Sequence, residues 1–376
     1  MEARPCDKRA VSEALHEDIM HTPTWIISLT LPSSLVQRVA LPYAVFDLHF
    51  HPRDRSKLAI ASSTGCVALF NVSNGKNTHP TLDQIWTKQV HEDPSVPALF
   101  LAWAPQDWLP QKQADGFAVT FSDSRTSVFG TEGSIADEES ISEWGSFPAK
   151  QMIEVWFVAL AAMRQSPESG DGKHYTPFMF TGNDFGSLHT RRFGTEDDKD
   201  EDDEEPLAPL ILEHDDRARH HTAGVTAILP FPLPLVDDAP ILLTGSYDEG
   251  LRVYHATRRG EVLAEQGLDG GVWRLQFLNT TEVSNAPDAN QVERHFLVLA
   301  SCMHAGTRVV RVTQKVQDES SDWSIEVLAK FTEHESMNYA SDVWKGSSAR
   351  NSEASELLVV SSSFYDHRVC VWRATV

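Results

Sequence analysis

Long apolar runs are what this chain most plainly lacks. None of its uninterrupted hydrophobic stretches approaches the ~18 residues that a helix needs to cross a bilayer. The first twenty residues, MEARPCDKRAVSEALHEDIM, mix acids and bases without an apolar core. The sequence therefore predicts neither a membrane span nor a secretory leader, and a cytoplasmic location follows as an expectation. Cysteine is scarce as well, with four in 376 residues, at Cys6, Cys66, Cys302 and Cys370, and none in a C-x-x-C pair. That scatter argues against a disulfide framework or a thiolate zinc site and predicts reduced thiols. Basic residues are outnumbered, 32 Lys and Arg against 54 Asp and Glu, for a net charge of −22. Phosphate binding rests on clustered Lys and Arg, so direct nucleic-acid binding is disfavoured and a basic protein partner favoured. Also missing are a G-x-S-x-G elbow and an HExxH or comparable metal set. A serine-hydrolase fold and a zinc hydrolase are both disfavoured, and neither metal nor cofactor is called for.

What is present is a repeated unit. With 41% hydrophobic content the chain has ample material for a core. An apolar strand, a gap, a second apolar strand ending in a Gly/Asp/Ser turn, and a third strand of alternating residues recur six times, at 44–72, 98–129, 155–193, 225–256, 271–312 and 337–372. Segments 260–266 and 324–331 supply fourth strands. Four short strands at this period are the signature of an all-β, WD-repeat β-propeller, here with six readable blades and a stunted or missing seventh. The chain stops after a third strand, LLVVSSSFYDHRVCVW (357–372), so an edge is left open unless an N-terminal strand closes the ring; TWIISLTLP (24–32) is the candidate. The domain reading is an N-terminal tail over 1–20 and a single propeller over 21–376. An acidic disordered insertion at about 194–219 contains EDDKDEDDEE (196–205), nine acids and one Lys, a run that repels itself and has nothing apolar to bury.

Turn chemistry refines this picture. In WD repeats a strand Ser or Thr, an Asp four residues on, an aromatic six further on, and a His before the first strand form a buried hydrogen-bonded set. Thr244, Asp248, Tyr254 and His221 fit it in the fourth unit, and Ser362, Asp366, Trp372 and His334 in the sixth. Asp248, Asp366, His221 and His334 are accordingly read as turn fasteners ahead of any catalytic use. Thr181 is followed at the Asp position by Phe185, and Ser301 by Ala305, so those turns must be held differently. The residue before the turn Asp is Tyr247, His304 or Tyr365 in units four to six. Equivalent corners of consecutive blades share one face, which GGVWR (270–274) and NYASD (338–342) also reach. A pocket with Tyr, Trp, His and Arg is predicted there.

These residues resemble one family. TGSYDE (244–249), GGVWR, LASCMHAG (299–306), HESMNYASDVW (334–344) and SFYDH (363–367), in this order, look like the WD-repeat diphthine methylesterase of the diphthamide pathway, over roughly residues 40 to 376. A generic WD repeat has no reason to carry Cys-Met-His or Phe-Tyr-Asp-His. Family members usually show another blade ahead of residue 44. The resemblance implies a hydrolase that removes a methyl ester from methylated diphthine on translation elongation factor 2, releasing methanol, with no cofactor and acting as a monomer.

Ester hydrolysis needs a base, a nucleophile or activated water, and donors for the oxyanion. His304 is the first candidate base, against an ordinary turn histidine, and His367 the second, against a surface role. Cys302 is a candidate nucleophile, against a buried inert thiol. Arg274 is a candidate oxyanion or carboxylate partner, against a salt bridge between blades. Diphthine carries a trimethylammonium group, so Tyr247, Trp273, Tyr339 and Tyr365 are candidates for an aromatic cage, against simple packing between blades. The alternative from a different class is a non-catalytic WD-repeat scaffold for protein assembly.

Overall fold

Alternation of apolar and polar residues, bounded by Gly, Asp and Ser turns, makes each of the six repeats a four-stranded antiparallel sheet. The structure, a computed structural model, describes residues 4–5, 24–28, 34–73, 79–111, 114–165, 175–195, 205–284, 291–317, 320–344 and 356–376. Among the described residues there is one 3-10 turn and no longer helix. The fold class is the one the repeats predict: all-β, with six blades of the WD-repeat propeller type. Backbone contacts divide the chain into two compact units, and each is described by itself. One comprises His16–Arg219 and Pro232–Pro240, the other Met1–Leu15, His220–Phe231 and Ile241–Val376.

The first unit holds blades 1 to 3. Blade 1 runs Val45–Phe50, Lys57–Ser62, Cys66–Ser73, Thr81–Gln89. Blade 2 runs Ala98–Trp103, Asp115–Phe121, Arg125–Thr131, Ser142–Pro148. Blade 3 runs Val155–Arg164, Tyr175–Asn183, Leu188–Phe193, Leu210–Asp215. Blades 1 and 2 meet through Ala59, Leu69 and Trp86 on one side and Leu101, Phe117 and Phe121 on the other, all buried. Each large side chain sequestered this way contributes about 1.5–3 kcal/mol.

The second unit holds blades 4 to 6. Blade 4 runs Val225–Pro230, Ile241–Ser246, Gly250–His255, Glu261–Gly267. Blade 5 has strands about twice as long: Arg274–Ser284, Gln291–Ser301, Thr307–Gln317, Ser320–Phe331. Blade 6 runs Asn338–Val343, Glu356–Ser363, Val369–Thr375. Phe331 of blade 5 stacks on the fully buried Trp372 of blade 6, rings 4.9 Å apart and 3° from parallel. That contact fixes the two sheets face to face, which is what sets their turns side by side.

The fourth strand of blade 6 does come from the N-terminus, but not from 24–32. It is Arg4–Pro5, paired with Arg373 and Trp372. Thr24–Ser28 pairs instead with Ser34–Val39 in a two-stranded sheet. Two extended runs only five residues apart close a hairpin at a much lower entropy cost than a pairing across the whole chain, and the local partner wins. The Gln37 side chain then anchors this hairpin by exchanging two hydrogen bonds with the backbone of Leu82 in blade 1, at 2.7 and 3.0 Å. The insertion expected at 194–219 also ends earlier than predicted. Leu210–Asp215 is the fourth strand of blade 3, in register with Leu188–Phe193. The core of the acidic run, 196–204, lies outside the described residues.

Candidate functional site

The turn fasteners come first, because they hold the corners that carry the site. In blade 4, His221 bridges Thr244 (Nε2 to Oγ1, 2.9 Å) and Asp248 (Nδ1 to Oδ2, 3.2 Å). Asp248 also accepts the N–H groups of Thr222 and Gly250 at 2.9 and 3.0 Å, and Arg252 lies 2.9 Å from it. Burial alone would raise the Asp248 carboxyl, but these donors outweigh it and hold the group well below the usual carboxylate range. His221 is pushed the other way by its own burial, toward the neutral ring. The charge opposite Asp248 is therefore that of Arg252.

Blade 6 corrects one member of its set. His334 Nε2 and the Trp372 indole N–H both reach the hydroxyl of Ser361, at 2.8 and 3.1 Å, and not that of Ser362. The reason is turn length. In blade 4 the last pair is Gly245 with Leu251, leaving 246–250 as the turn, whereas in blade 6 it is Ser362 with Val369, leaving 363–368. One extra turn residue moves the buried hydroxyl one place back, since strand side chains alternate faces. Asp366 fastens this longer turn by accepting the Ser363 hydroxyl and, at 3.1 Å, the Glu335 N–H.

The two degenerate turns are held by other means. Blade 3 uses Asn183, whose Oδ1 accepts Phe185 N–H and Ser187 N–H at 3.1 and 2.9 Å. The buried Arg191 ties Thr181 to Glu213 there. In blade 5 the buried Arg308 donates to the Ala305 carbonyl at 2.6 Å. Arg308 thus ties its turn down by donating to a turn carbonyl, where a turn Asp would have accepted backbone N–H groups.

The blade 5 turn is set close against its neighbours. A Cβ on Gly270 would come 2.5 Å from the Cys302 carbonyl, so glycine at 270 is what lets the turn approach so closely, while one on Gly271 would meet the movable Met303 Sδ at 2.6 Å. From the other side, Asn338 N–H donates to the Met303 carbonyl at 2.9 Å. The Asn338 side chain, fully buried, accepts from Thr307 and donates to the carbonyls of Ala340 and Ser362. Met303 itself sits at φ 43°, a left-handed conformation that costs a non-glycine residue about 1–2 kcal/mol and is held by these bonds.

On this framework four aromatic candidates converge, joined by a fifth ring. Tyr247 lies 5.8 Å from Trp273, Trp273 lies 5.1 Å from Tyr339, Tyr339 lies 5.8 Å from Phe364, and Phe364 lies 5.1 Å from Tyr365, all between ring centroids. Tyr339 owes its aim to a β-bulge. Asn338 pairs with Ser363 and Ala340 with Ser362, leaving Tyr339 as the extra residue that the ladder turns outward. The hydroxyl pKa of Tyr339 is raised, first by burial and then by the nearby Tyr365. Phe364 and Tyr365 are 58% and 69% exposed, so the row runs from a half-buried end at Tyr247 to an open end at Tyr365. Arg274 stacks on the row, its guanidinium 4.7 Å from the Trp273 centroid. Its Nη1 donates to the carbonyls of Trp273 and Thr226, at 2.9 and 3.3 Å.

His304 is exposed, next to Met303 in the turn just described. His367 is also exposed, at φ 51°. Cys302 does not suit a nucleophile: it is fully buried, its Sγ faces the Ala300 carbonyl at 3.7 Å, and burial pushes its thiol up to about 12. It follows directly on the strand Gln291–Ser301, and its backbone N–H donates to the Gly306 carbonyl at 2.7 Å within the turn. Phe364, Asn338 and Ser361 are the site residues that the sequence reading missed. Phe364 stands within the SFYDH motif, where its place beside Tyr365 is the available signal.

No protein-family model matches the chain. Its sequence is similar to diphthine methyltransferases: 33% identical over 157 residues to the Schizosaccharomyces pombe protein, covering 40% of this chain and 38% of that one. To the Homo sapiens protein it is 30% identical over 125 residues, covering 33% of this chain and 23% of that one. The match thus spans well under half the length of either relative. In fold it is similar to Saccharomyces cerevisiae Sqt1, at a TM-score of 0.54 and 12% identity, covering 94% of this chain and 78% of that one. Chaetomium thermophilum Sqt1, solved bound to the N-terminus of the ribosomal protein L10, gives a TM-score of 0.50 at 13% identity over 88% of this chain and 73% of that one. These structural likenesses bear on the fold alone.

Proposed function

We propose that this chain is a carboxylic ester hydrolase that removes the methyl ester from methylated diphthine on translation elongation factor 2, giving diphthine and methanol as a step of diphthamide synthesis. The observation that carries the reading is the row of five rings on blades 4 to 6, with successive centroids 5.1–5.8 Å apart. A quaternary ammonium has no N–H to donate and is recognised by aromatic faces, each worth about 0.5–2 kcal/mol. The curated relatives support the pathway, since their name places them at a methyl group of diphthine.

In this reading the ammonium lodges against Trp273 between Tyr247 and Tyr339, and Phe364 and Tyr365 close over the open end. His304 takes a proton from water as the water oxygen attacks the ester carbonyl. Arg274 faces the negative charge that develops on the carbonyl oxygen. The imidazolium then returns the proton to the departing methoxide, so water and ester become carboxylic acid and methanol. Cys302 takes no part. The net charge of −22 favours approach of a basic protein surface, and the site is proposed to work in the cytoplasm.

The relatives' name also favours a second reading, transfer of a methyl group onto diphthine. Purified chain incubated with elongation factor 2 carrying methylated diphthine, labelled in the ester methyl, separates the two. The proposal expects labelled methanol, and a loss of about 10²–10⁴-fold in rate for His304→Ala. Label retained on the protein, with net methylation on addition of a methyl donor, supports the second reading. Tight binding with neither event supports a non-catalytic scaffold.

A further inference from the structure

We infer that the site on blades 4 to 6 binds free betaines, small molecules with a quaternary ammonium one carbon from an ionised carboxylate, and that Arg274 makes it prefer the acid to the corresponding cationic ester or amide. The inference rests on the ammonium-binding role proposed for the aromatic row and adds a second recognition element to it.

The argument starts from a conflict of charge. Trp273 sits in the middle of the row, 5.8 Å from Tyr247 and 5.1 Å from Tyr339. The Arg274 guanidinium already lies 4.7 Å from the same indole. Guanidinium stays protonated at any physiological pH, and Nη1 is tied to the carbonyls of Trp273 and Thr226. Thr226 is itself fastened, its hydroxyl donating to the Val272 carbonyl at 2.5 Å. The cation is thus part of the frame. A ligand that brings a bare quaternary ammonium to this indole places two like charges on one ring system, which costs binding. A ligand that carries a carboxylate two bonds from the ammonium removes the conflict, because its anion falls between its own cation and the guanidinium and gains a charge-assisted hydrogen bond. A methyl ester or an amide carries the same ammonium but no anion.

One consequence concerns the reaction. Hydrolysis turns a cationic ester into a betaine carboxylate, the species this site holds best, so product competes with substrate and release of the acid is slow. Free betaines of the same form are inhibitors.

The test uses the full chain at pH 7 and low salt, with isothermal titration of glycine betaine, glycine betaine amide and choline. The acid is expected to bind about tenfold more tightly than the amide, with choline no tighter than the amide. The preference shrinks with added salt, and Arg274→Gln brings it to about one while choline binding is retained or improved. Equal affinity for acid and amide in the native chain, or a preference that survives in Arg274→Gln, overturns the inference. The native comparison needs no variant, and choline binding by the variant reports that its aromatic row is intact. Failure of all three ligands to bind also overturns it. Methanol release measured alongside keeps the two readings apart: turnover without betaine binding defeats this inference alone. Betaine binding in the stated order without turnover defeats the esterase alone.

Discussion

Replacing Trp273 by leucine tests the aromatic row at its centre. The indole bridges the half-buried and open ends, 5.8 Å from Tyr247 and 5.1 Å from Tyr339. Leucine keeps much of the apolar volume and loses the ring quadrupole. For a ligand held in a partly desolvated setting, one good cation–π face is worth about 2 kcal/mol, and at 1.4 kcal/mol per tenfold this is a loss of about 30-fold in affinity. Tyr365 is the contrast. It is 69% exposed, so its face competes with water and Tyr365→Ala loses about 0.5–1 kcal/mol, or roughly 2–5-fold. The assay is calorimetric titration of a peptide carrying methylated diphthine into each variant, with near-ultraviolet circular dichroism to confirm native packing. A Trp273→Leu protein that binds within twofold of the native chain, or a larger loss at Tyr365 than at Trp273, would refute the reasoning that the row is a cation site.

The remaining predictions concern the frame and the chemistry. Asp248→Asn removes the charge opposite Arg252, which keeps Glu265 at 2.9 Å, so the cost is about 2 kcal/mol rather than the full penalty of an orphaned buried charge. Because the Asp248 carboxyl is depressed in the folded state, its stabilisation is complete above the unfolded pKa of about 4 and is lost as pH falls through the folded value. Urea midpoints of native and variant should therefore differ by a constant amount from pH 5 to 8 and converge in acid. Ser361→Ala leaves the Trp372 indole N–H without its acceptor in a fully buried site and costs about 1–3 kcal/mol, whereas Ser362→Ala stays within about 0.5 kcal/mol; equal thermal shifts would contradict the assigned register. Cys302→Ala retains turnover within about twofold, and in the native protein at pH 8 iodoacetamide leaves Cys302 unlabelled, as a buried thiol demands. Rapid labelling there with parallel loss of activity would reinstate it as a nucleophile.

How much of this was legible in the sequence depends on whether the relevant contact is local. Strand alternation and turn residues are local, and all six repeats emerged from them, including the fourth strands of blades 4 and 5. Equivalent positions in successive repeats carried the argument one step further: they predict Tyr247, His304 and Tyr365 on one face with segments 270–274 and 338–342, in a pocket of Tyr, Trp, His and Arg, and the structure sets Tyr247, Trp273, Tyr339 and Tyr365 in a row together with Phe364. What escaped was set by small offsets and by long reach. A single extra residue in the 363–368 turn moved the buried hydroxyl from Ser362 to Ser361. The bulge at Tyr339 and the clamp of Asn338 depend on a pairing register that composition does not encode. Arg191 acts through a side chain that crosses to Thr181 and Glu213 on the neighbouring strands, whereas Asn183 and Arg308 hold their own turns with residue types that the Asp pattern does not include. The N-terminal edge strand was misplaced because two adjacent extended runs, at Thr24–Ser28 and Ser34–Val39, satisfy each other. Phe364, inside the SFYDH motif, completes the row between Tyr339 and Tyr365, a place that depends on the longer 363–368 turn and not on its residue type.

The most direct measurement is a crystal structure of the chain with a peptide bearing the trimethylated methyl ester, taken with His304→Ala to prevent turnover. The account predicts density for the quaternary nitrogen within about 6 Å of the Trp273 ring centroid, with the ester carbonyl turned toward Arg274 and the residue-304 corner. Ordered density for the ammonium on any other face of the protein, with the aromatic row empty, would contradict it.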